Sequence, residues 1–394
     1  MATMRIRFVV YLSQSILVLT CLLITNLAQQ PASSQPATAM KVQAREVVLP
    51  VTVRDKKGEL VTSLRISDFT LTEDSRPQKI TSFTRETNLP FRVGLLVDTS
   101  RGMNSAIDYE RRAAGKFVDT MLPEKPSDSP NARTDQIFLI HFDREVELLY
   151  DFTTLRDKLL HELGEMGPSR DEQYEARDSE SSGSNNGGYG GSRGQGRGRR
   201  EGAELYDAIY LASNEVMKKQ EGRKVLVVFS GGVDRGSQMT LNDAIDAADR
   251  AGLAVYTIYL KGEEERPAGG GPPGSGGPHG GMGGGWNRGI GAGTGATQQE
   301  EGPILYPRKP EVDGKKIMEK IAARTGGHFY EARKKDNLEE IYGQIAVELR
   351  GQFLLTYTPD QSDKDSGFHK LVLKSNKEDL SVVTREGYYA PTEK

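Results

Sequence analysis

The chain has 394 residues, and 52 Lys+Arg against 55 Asp+Glu give a formal net charge of -3. That balance excludes a generally basic nucleic-acid coat and a strongly acidic tail protein. Hydrophobic residues are 36% of the chain, low for one globule, but the 44 Gly and 18 Pro are clustered and explain much of the deficit. The remainder amounts to about two domains' worth of chain. The single cysteine, Cys21, lies in the first apolar run. The folded part beyond that run holds no thiol, which excludes disulfides, cysteine nucleophiles, Fe–S clusters and Cys-based zinc sites.

Arg5 and Arg7 precede an apolar stretch from Phe8 to about Ile24, and Asn26-Leu27-Ala28 places a small residue at a cleavage point. A basic start, an apolar middle and a small-residue exit describe a secretory signal peptide over residues 1–28. The alternative is an uncleaved signal anchor, because a span needs about 20 apolar residues. Either way the chain is expected outside the cytoplasm: secreted, periplasmic or tethered by its N-terminus. Residues 29–41, rich in Pro, Ser, Ala and Gln, read as a linker.

Residues 42–88 alternate in the strand period, first at Glu46–Arg54, then at Asp68–Glu73 and Gln78–Phe83, with a turn at Asp55-Lys56-Lys57-Gly58. Pro50 argues for an edge or a bulge. From residue 91 to 350 short continuous apolar runs alternate with amphipathic stretches. The runs are Val93–Val97, Ile137–Ile140, Val225–Phe229, Leu253–Tyr259 and the weaker His328–Tyr330. Helical spacing marks Ser105–Met121, Leu205–Lys219, Leu241–Ala251 and Lys315–Thr325. Runs buried on both faces and alternating with helices predict an α/β fold, a doubly wound, mostly parallel sheet that binds ligands at the carboxyl ends of its strands. Residues 351–391 return to β spacing at Phe353–Tyr357, Lys370–Leu373, Leu380–Val383 and Arg385–Tyr389. They are expected to pair with the N-terminal strands as a small β module, since neither piece alone can bury a face. Residues 168–202 and 263–303, dominated by Gly, Ser, Arg and Pro, cannot bury enough apolar surface to order and read as disordered insertions.

Val97-Asp98-Thr99-Ser100-Arg101-Gly102-Met103 puts an acid and a hydroxyl at the end of the first central strand, just before a helix. Here the chain resembles the von Willebrand factor type A domain, in particular a bacterial subfamily with a leading β segment and a closing Gly-Tyr-Tyr-Ala end. Supporting stretches are Ser67-Asp68-Phe69, Asp98-Thr99-Ser100, Leu205-Tyr206-Asp207-Ala208, Val228-Phe229-Ser230-Gly231-Gly232, Thr325-Gly326-Gly327 and Arg385–Ala390. The resemblance implies a Rossmann-like sheet with a metal-ion-dependent adhesion site. In that family an Asp-x-Ser-x-Ser loop, a Thr and a further Asp hold a divalent cation that a partner's carboxylate completes. Oxygen ligands with one open position suit a hard cation.

Asp98 and Ser100 match the first two ligands. Gly102 stands for the second serine, the threonine falls near Ala203, and the last aspartate falls at Gly231. Asp234, three residues on, is the stand-in that a shifted loop offers, and Glu204 is another nearby oxygen. The metal set implied is therefore Asp98, Ser100 and Asp234, a degenerate site holding Mg²⁺ or another divalent cation weakly, if at all. Asp98 and Ser100 have an alternative role as caps of the following helix.

Other signals are weak. The five histidines are dispersed, with no His-Glu-x-x-His pairing, and structural or surface roles are expected of them. Gly190-Gly191-Ser192-Arg193-Gly194 lacks the strand and helix of a nucleophile elbow. Arg193, Arg197, Arg199 and Arg200 are diluted by neighbouring acids, so no nucleic acid is expected. Asp360, Asp363 and Asp365 lack EF-hand spacing. Trp286 stands alone in the second insertion. The reading is a non-enzymatic protein-interaction or adhesion protein whose Asp98 corner faces outward to a protein partner. The alternatives are a surface-assembly component using its Gly-rich loops and an extracellular hydrolase.

Overall fold

The apolar runs become strands because each is covered on both faces. In the computed structural model, which describes residues 46–85, 89–124, 134–167, 203–262, 313–360 and 367–390, these runs are β5 (Phe91–Asp98), β6 (Gln136–Phe142), β8 (Arg223–Ser230), β9 (Ala254–Tyr259) and β10 (Phe329–Glu331). With β7 (Val146–Thr153) they form a six-stranded sheet of order β10-β9-β8-β5-β6-β7. Only the β6–β7 pair is antiparallel. Within β5, Gly94 admits the ring of Phe138: a Cβ there would lie 2.3 Å from Phe138 Cζ.

Alternate residues of β5 face opposite layers, as the two-residue period requires. Val93, Leu95 and Val97 pack with Phe117 of α1 (Ile107–Met121), Leu159 and Leu163 of α2 (Arg156–Glu165) and Ile345 of α6 (Leu338–Gly351). Leu96 packs on the other side with Leu205 of α3 (Leu205–Leu211), Ile245 of α4 (Leu241–Ala251) and Ile321 of α5 (Gly314–Thr325). The helix begun by α3 continues through a wider π-type turn over Ala212–Met217. A Thr240–Asp243 capping box starts α4, and Gly252 in the left-handed region ends it.

The terminal strands form two four-stranded sheets that share a core. One has the order β13-β1-β11-β4 and the other β14-β12-β2-β3. The strands are β1 (Val47–Arg54), β2 (Phe69–Glu73), β3 (Arg76–Gln78), β4 (Ile80–Thr84), β11 (Phe353–Tyr357), β12 (Phe368–Ser375), β13 (Ser381–Val383) and β14 (Gly387–Tyr389). Leu49, Val51, Leu71, Leu355 and Leu371 are buried between the sheets. The expected pairing of the two chain ends is direct, through β1 on β11 and β2 on β12. Strand β1 is internal rather than at an edge, but Pro50 lies outside the Thr52–Arg54 stretch that pairs with β13, so its missing N–H breaks no ladder there.

This module meets the α/β unit at the amino ends of the parallel strands. Arg223, the first residue of β8, reaches Leu349 O (2.8 Å) and Gln352 Oε1 (2.7 Å) where α6 runs into β11. Arg250 and Arg324, at the last turns of α4 and α5, lie over the rings of Tyr389 and Phe368. The signal peptide (1–28), the linker (29–41), the insertions 168–202 and 263–303, Trp286, Asp363 and Asp365 lie outside the described residues. Among the described residues no helix is long and apolar enough to cross a membrane.

Candidate functional site

The strand order reverses between β5 and β8, the place where open α/β sheets open a crevice for ligands. Here that crevice is bridged. Ser230, the last residue of β8, donates its hydroxyl to Asp98 Oδ2 at 2.6 Å, and Asp98 Oδ1 accepts the Ser100 N–H at 3.0 Å. Gly232 N–H in turn donates to Ser230 Oγ (3.0 Å). Asp98 is only 2% exposed, Thr99 0% and Ser100 9%. Burial pushes the Asp98 carboxyl above its ordinary value, against the hydrogen bonds from Ser100, Ser230 and Gly231.

The corner expected to face outward is therefore turned inward. Its cover is local and does not come from the β module. Gly262 passes close to Gly102, and Gly231 lies against Leu260, Met103 and Gly262. Gly232, at φ +70°, packs so tightly on Gly314 that a Cβ would lie 2.2 Å from the Gly314 carbonyl oxygen. The capping role also differs: Ser100 precedes a 3₁₀ turn, Arg101–Ala106, and makes no side-chain cap bond.

Asp234 sits elsewhere in the same loop cluster. Its backbone bridges Ala203, and its Oδ1 accepts the Tyr206 N–H (3.1 Å) and the Ser237 hydroxyl (2.5 Å). Glu204 beside it is raised to about 7, by burial first and then by Asp207, Asp234, Glu145 and Asp143. Asp207 is occupied by the N–H groups of Gln238 and Met239.

These residues do not fit a hard dication. Asp98 is 2% exposed, and Gly102, Ala203 and Gly231 supply no side-chain oxygen. A cation cage needs several ionised or carbonyl oxygens converging on one point. Among the described residues the three-ligand grouping of His, Asp and Glu atoms within 4.8 Å is Glu73, Asp74 and His369, in the β module.

Sequence reasoning missed a polar chain beside Asp98. Thr99 Oγ1 lies 3.2 Å from His141 Nδ1, and His141 Nε2 lies 2.9 Å from Glu147 Oε2. With Nε2–H donating to Glu147, Nδ1 accepts the Thr99 hydroxyl. The signal was His141 at the end of its run, but seeing the triad needs the register Val97↔His141 and His141↔Glu147.

No protein-family model matches the chain, and no curated protein matches it. Solved structures do. The α/β unit is similar in fold to von Willebrand factor type A domains. A proximal thread matrix protein from the mussel byssus, solved with zinc in its adhesion-site motif, matches at 11% identity and TM-score 0.41, over 69% of this chain and 48% of that one. The chain thus spans about half the length of the mussel protein. The von Willebrand factor domain of a type V pili tip protein from Porphyromonas gingivalis matches at 12% identity and TM-score 0.39, over 67% of this chain and 96% of that one. A type A protein from Catenulispora acidiphila matches at 8% identity and TM-score 0.39, over 89% and 64%.

Proposed function

We propose that this chain is an exported, non-catalytic protein-interaction module with a von Willebrand factor type A-like core. On this reading it works through the loops at the carboxyl ends of its strands and without a cation at Asp98. The observation that carries the reading is the oxygen-poor corner itself: Asp98 is buried and tied to Ser230 and Ser100, and Gly102, Ala203 and Gly231 bring no side-chain oxygen to it. Lacking a cation, the face has nothing for a partner's carboxylate to complete. What it offers instead is a group of acids, Asp207, Asp234, Glu145 and Asp143, around the part-buried Glu204, which suits a partner segment carrying Lys or Arg.

A hydrolase reading has a specific arrangement in its favour, the Thr99–His141–Glu147 chain. Its hydroxyl is fully buried, so no substrate carbonyl reaches it. The chain instead ties the end of β5 to β6 and β7.

Titration calorimetry with Mg²⁺, Mn²⁺ and Ca²⁺ tests the cation question. Wild type and Asp98→Ala should give the same heats. Capture of partners from envelope or extracellular extract should survive chelator and weaken with salt and with Glu145→Lys. Cation binding that disappears in Asp98→Ala, together with capture abolished by chelator, would replace this reading with a metal-bridged one.

A further inference from the structure

A different corner of the molecule brings metal-ligand chemistry together. In the β module, β2 ends at Glu73, and Asp74 and Ser75 make the turn into β3, both at positive φ. Strand β12 runs beside β2 with Leu371 opposite Glu73, which sets His369, two residues earlier, on the same face. His369 Nδ1 lies 2.9 Å from Asp74 Oδ2 and 3.6 Å from Glu73 Oε1. One nitrogen thus faces two carboxylate oxygens, and a single N–H reaches only the nearer within hydrogen-bond range.

We propose that Glu73, Asp74 and His369 form a binding site for a divalent transition metal, with Zn²⁺ as the fitting ion. The imidazole nitrogen and two carboxylate oxygens are the donor types zinc takes, and ligands at ordinary zinc distances in a tetrahedron stand about 3.3 Å apart. The two nitrogen–oxygen separations, 2.9 and 3.6 Å, bracket that edge. A cation set between the imidazole nitrogen and the two oxygens serves both carboxylates, and their two charges balance it.

The cluster also has outer support. The Tyr388 hydroxyl donates to Glu73 Oε1 at 2.7 Å, and the His369 ring stacks on the Tyr388 ring at 5.4 Å. The Lys370 N–H fixes Asp74 through its other oxygen, Oδ1, at 2.9 Å, leaving Oδ2 toward the imidazole. Such outer hydrogen bonds orient ligands and tune affinity. Three protein ligands leave a fourth position for water or a partner's group.

The test is calorimetric titration of the metal-stripped full chain with ZnCl₂, and with Co²⁺ for its visible absorption. One site per chain is expected, tightening as pH rises because protons compete for the ligands. Binding should be lost in His369→Gln and in Asp74→Asn, unchanged in Asp98→Ala, and weakened about 10–100-fold in Tyr388→Phe. Asp74 is exposed, so its variant keeps the test valid if His369→Gln fails to fold. No zinc heat in wild type, or equal affinity in Asp74→Asn, overturns the site and leaves a His369–Asp74 hydrogen bond beside Glu73. The site stands or falls independently of Asp98.

Discussion

Glu204 is the residue at which the charge of the loop face can be read directly. Its carboxyl is raised to about 7 by burial and by four carboxylates, Asp234 among them. Removing one like charge favours the ionised form, so Asp234→Asn should move the Glu204 pKa down from about 7 toward 4.5. Carboxyl carbon shifts in an NMR pH titration measure it, and an unmoved midpoint would mean that Asp234 does not contribute to the shift. A basic partner should accordingly bind more weakly at pH 6 than at pH 8, since the face gains charge as Glu204 ionises. At this scale the sequence disclosed part of the site. The strand-end position of Asp98 and Ser100 is legible in Val97-Asp98-Thr99-Ser100. Ser230 as the partner of Asp98 is not, because that bond spans 132 residues and depends on the β5–β8 register. The pairing of Asp74 with His369, 295 residues apart, is hidden for the same reason.

Between elements, the contact of α1 with α6 holds a buried acid. Glu110 Oε1 accepts from the Tyr342 hydroxyl, and Oε2 has no hydrogen-bond partner among the described residues. Burial pushes its carboxyl up to about 8, partly offset by the Tyr342 bond. A carboxyl raised on folding stabilises the fold fully below its unfolded value near 4.5, and that stability is lost as pH rises through about 8. The loss across this window is on the order of 5 kcal/mol. Glu110→Gln should flatten the stability profile from pH 5 to pH 9, measured by urea unfolding; parallel profiles for the two proteins would show that the acid does not titrate in the window. The helix that carries Tyr342 was legible in principle. Leu338, Ile341, Tyr342, Ile345 and Leu349 stand at helical spacing, yet they follow the weakest apolar run, where the alternation of strand and helix is hardest to see. Strand β7 was less legible. It is an edge strand with only Thr153 buried, so Val146–Thr153 shows neither a continuous apolar run nor clean alternation.

Across the described residues from Glu46 on, a loop face lies at one end of the parallel sheet and the β module at the other, and Glu348 is where the module is fastened. Its side chain is 1% exposed. Oε1 accepts from Thr52 (3.1 Å) and Tyr256 (3.0 Å), and Oε2 accepts from Tyr330 (2.9 Å) and pairs with Arg54. Gln352 extends the network by donating to Thr52 and Tyr256. Thr52 and Arg54 belong to β1, while Tyr256 and Tyr330 belong to the parallel sheet, so one carboxylate is shared by both parts. Removing one partner of a buried ion pair leaves the other charge uncompensated and costs about 3–5 kcal/mol. Glu348→Ala should cost that much, because it removes at once the counter-charge of Arg54 and the acceptor of three hydroxyls. Arg54→Ala should cost less, because the Arg54 side chain is 18% exposed and three hydroxyl bonds to Glu348 remain. The larger consequence concerns cooperativity. Helix α6 passes into β11 through Gln352 alone, so losing the Glu348 network removes the buried charged tie between the parts and leaves Arg223 with Gln352 and Arg324 with Glu386. Guanidinium unfolding of wild type should be one transition by tyrosine fluorescence and far-ultraviolet circular dichroism, and Glu348→Ala should separate the two probes. Coincident curves in the variant would mean that apolar packing, with Arg223 and the Arg250 and Arg324 stacks, holds the module without the carboxylate.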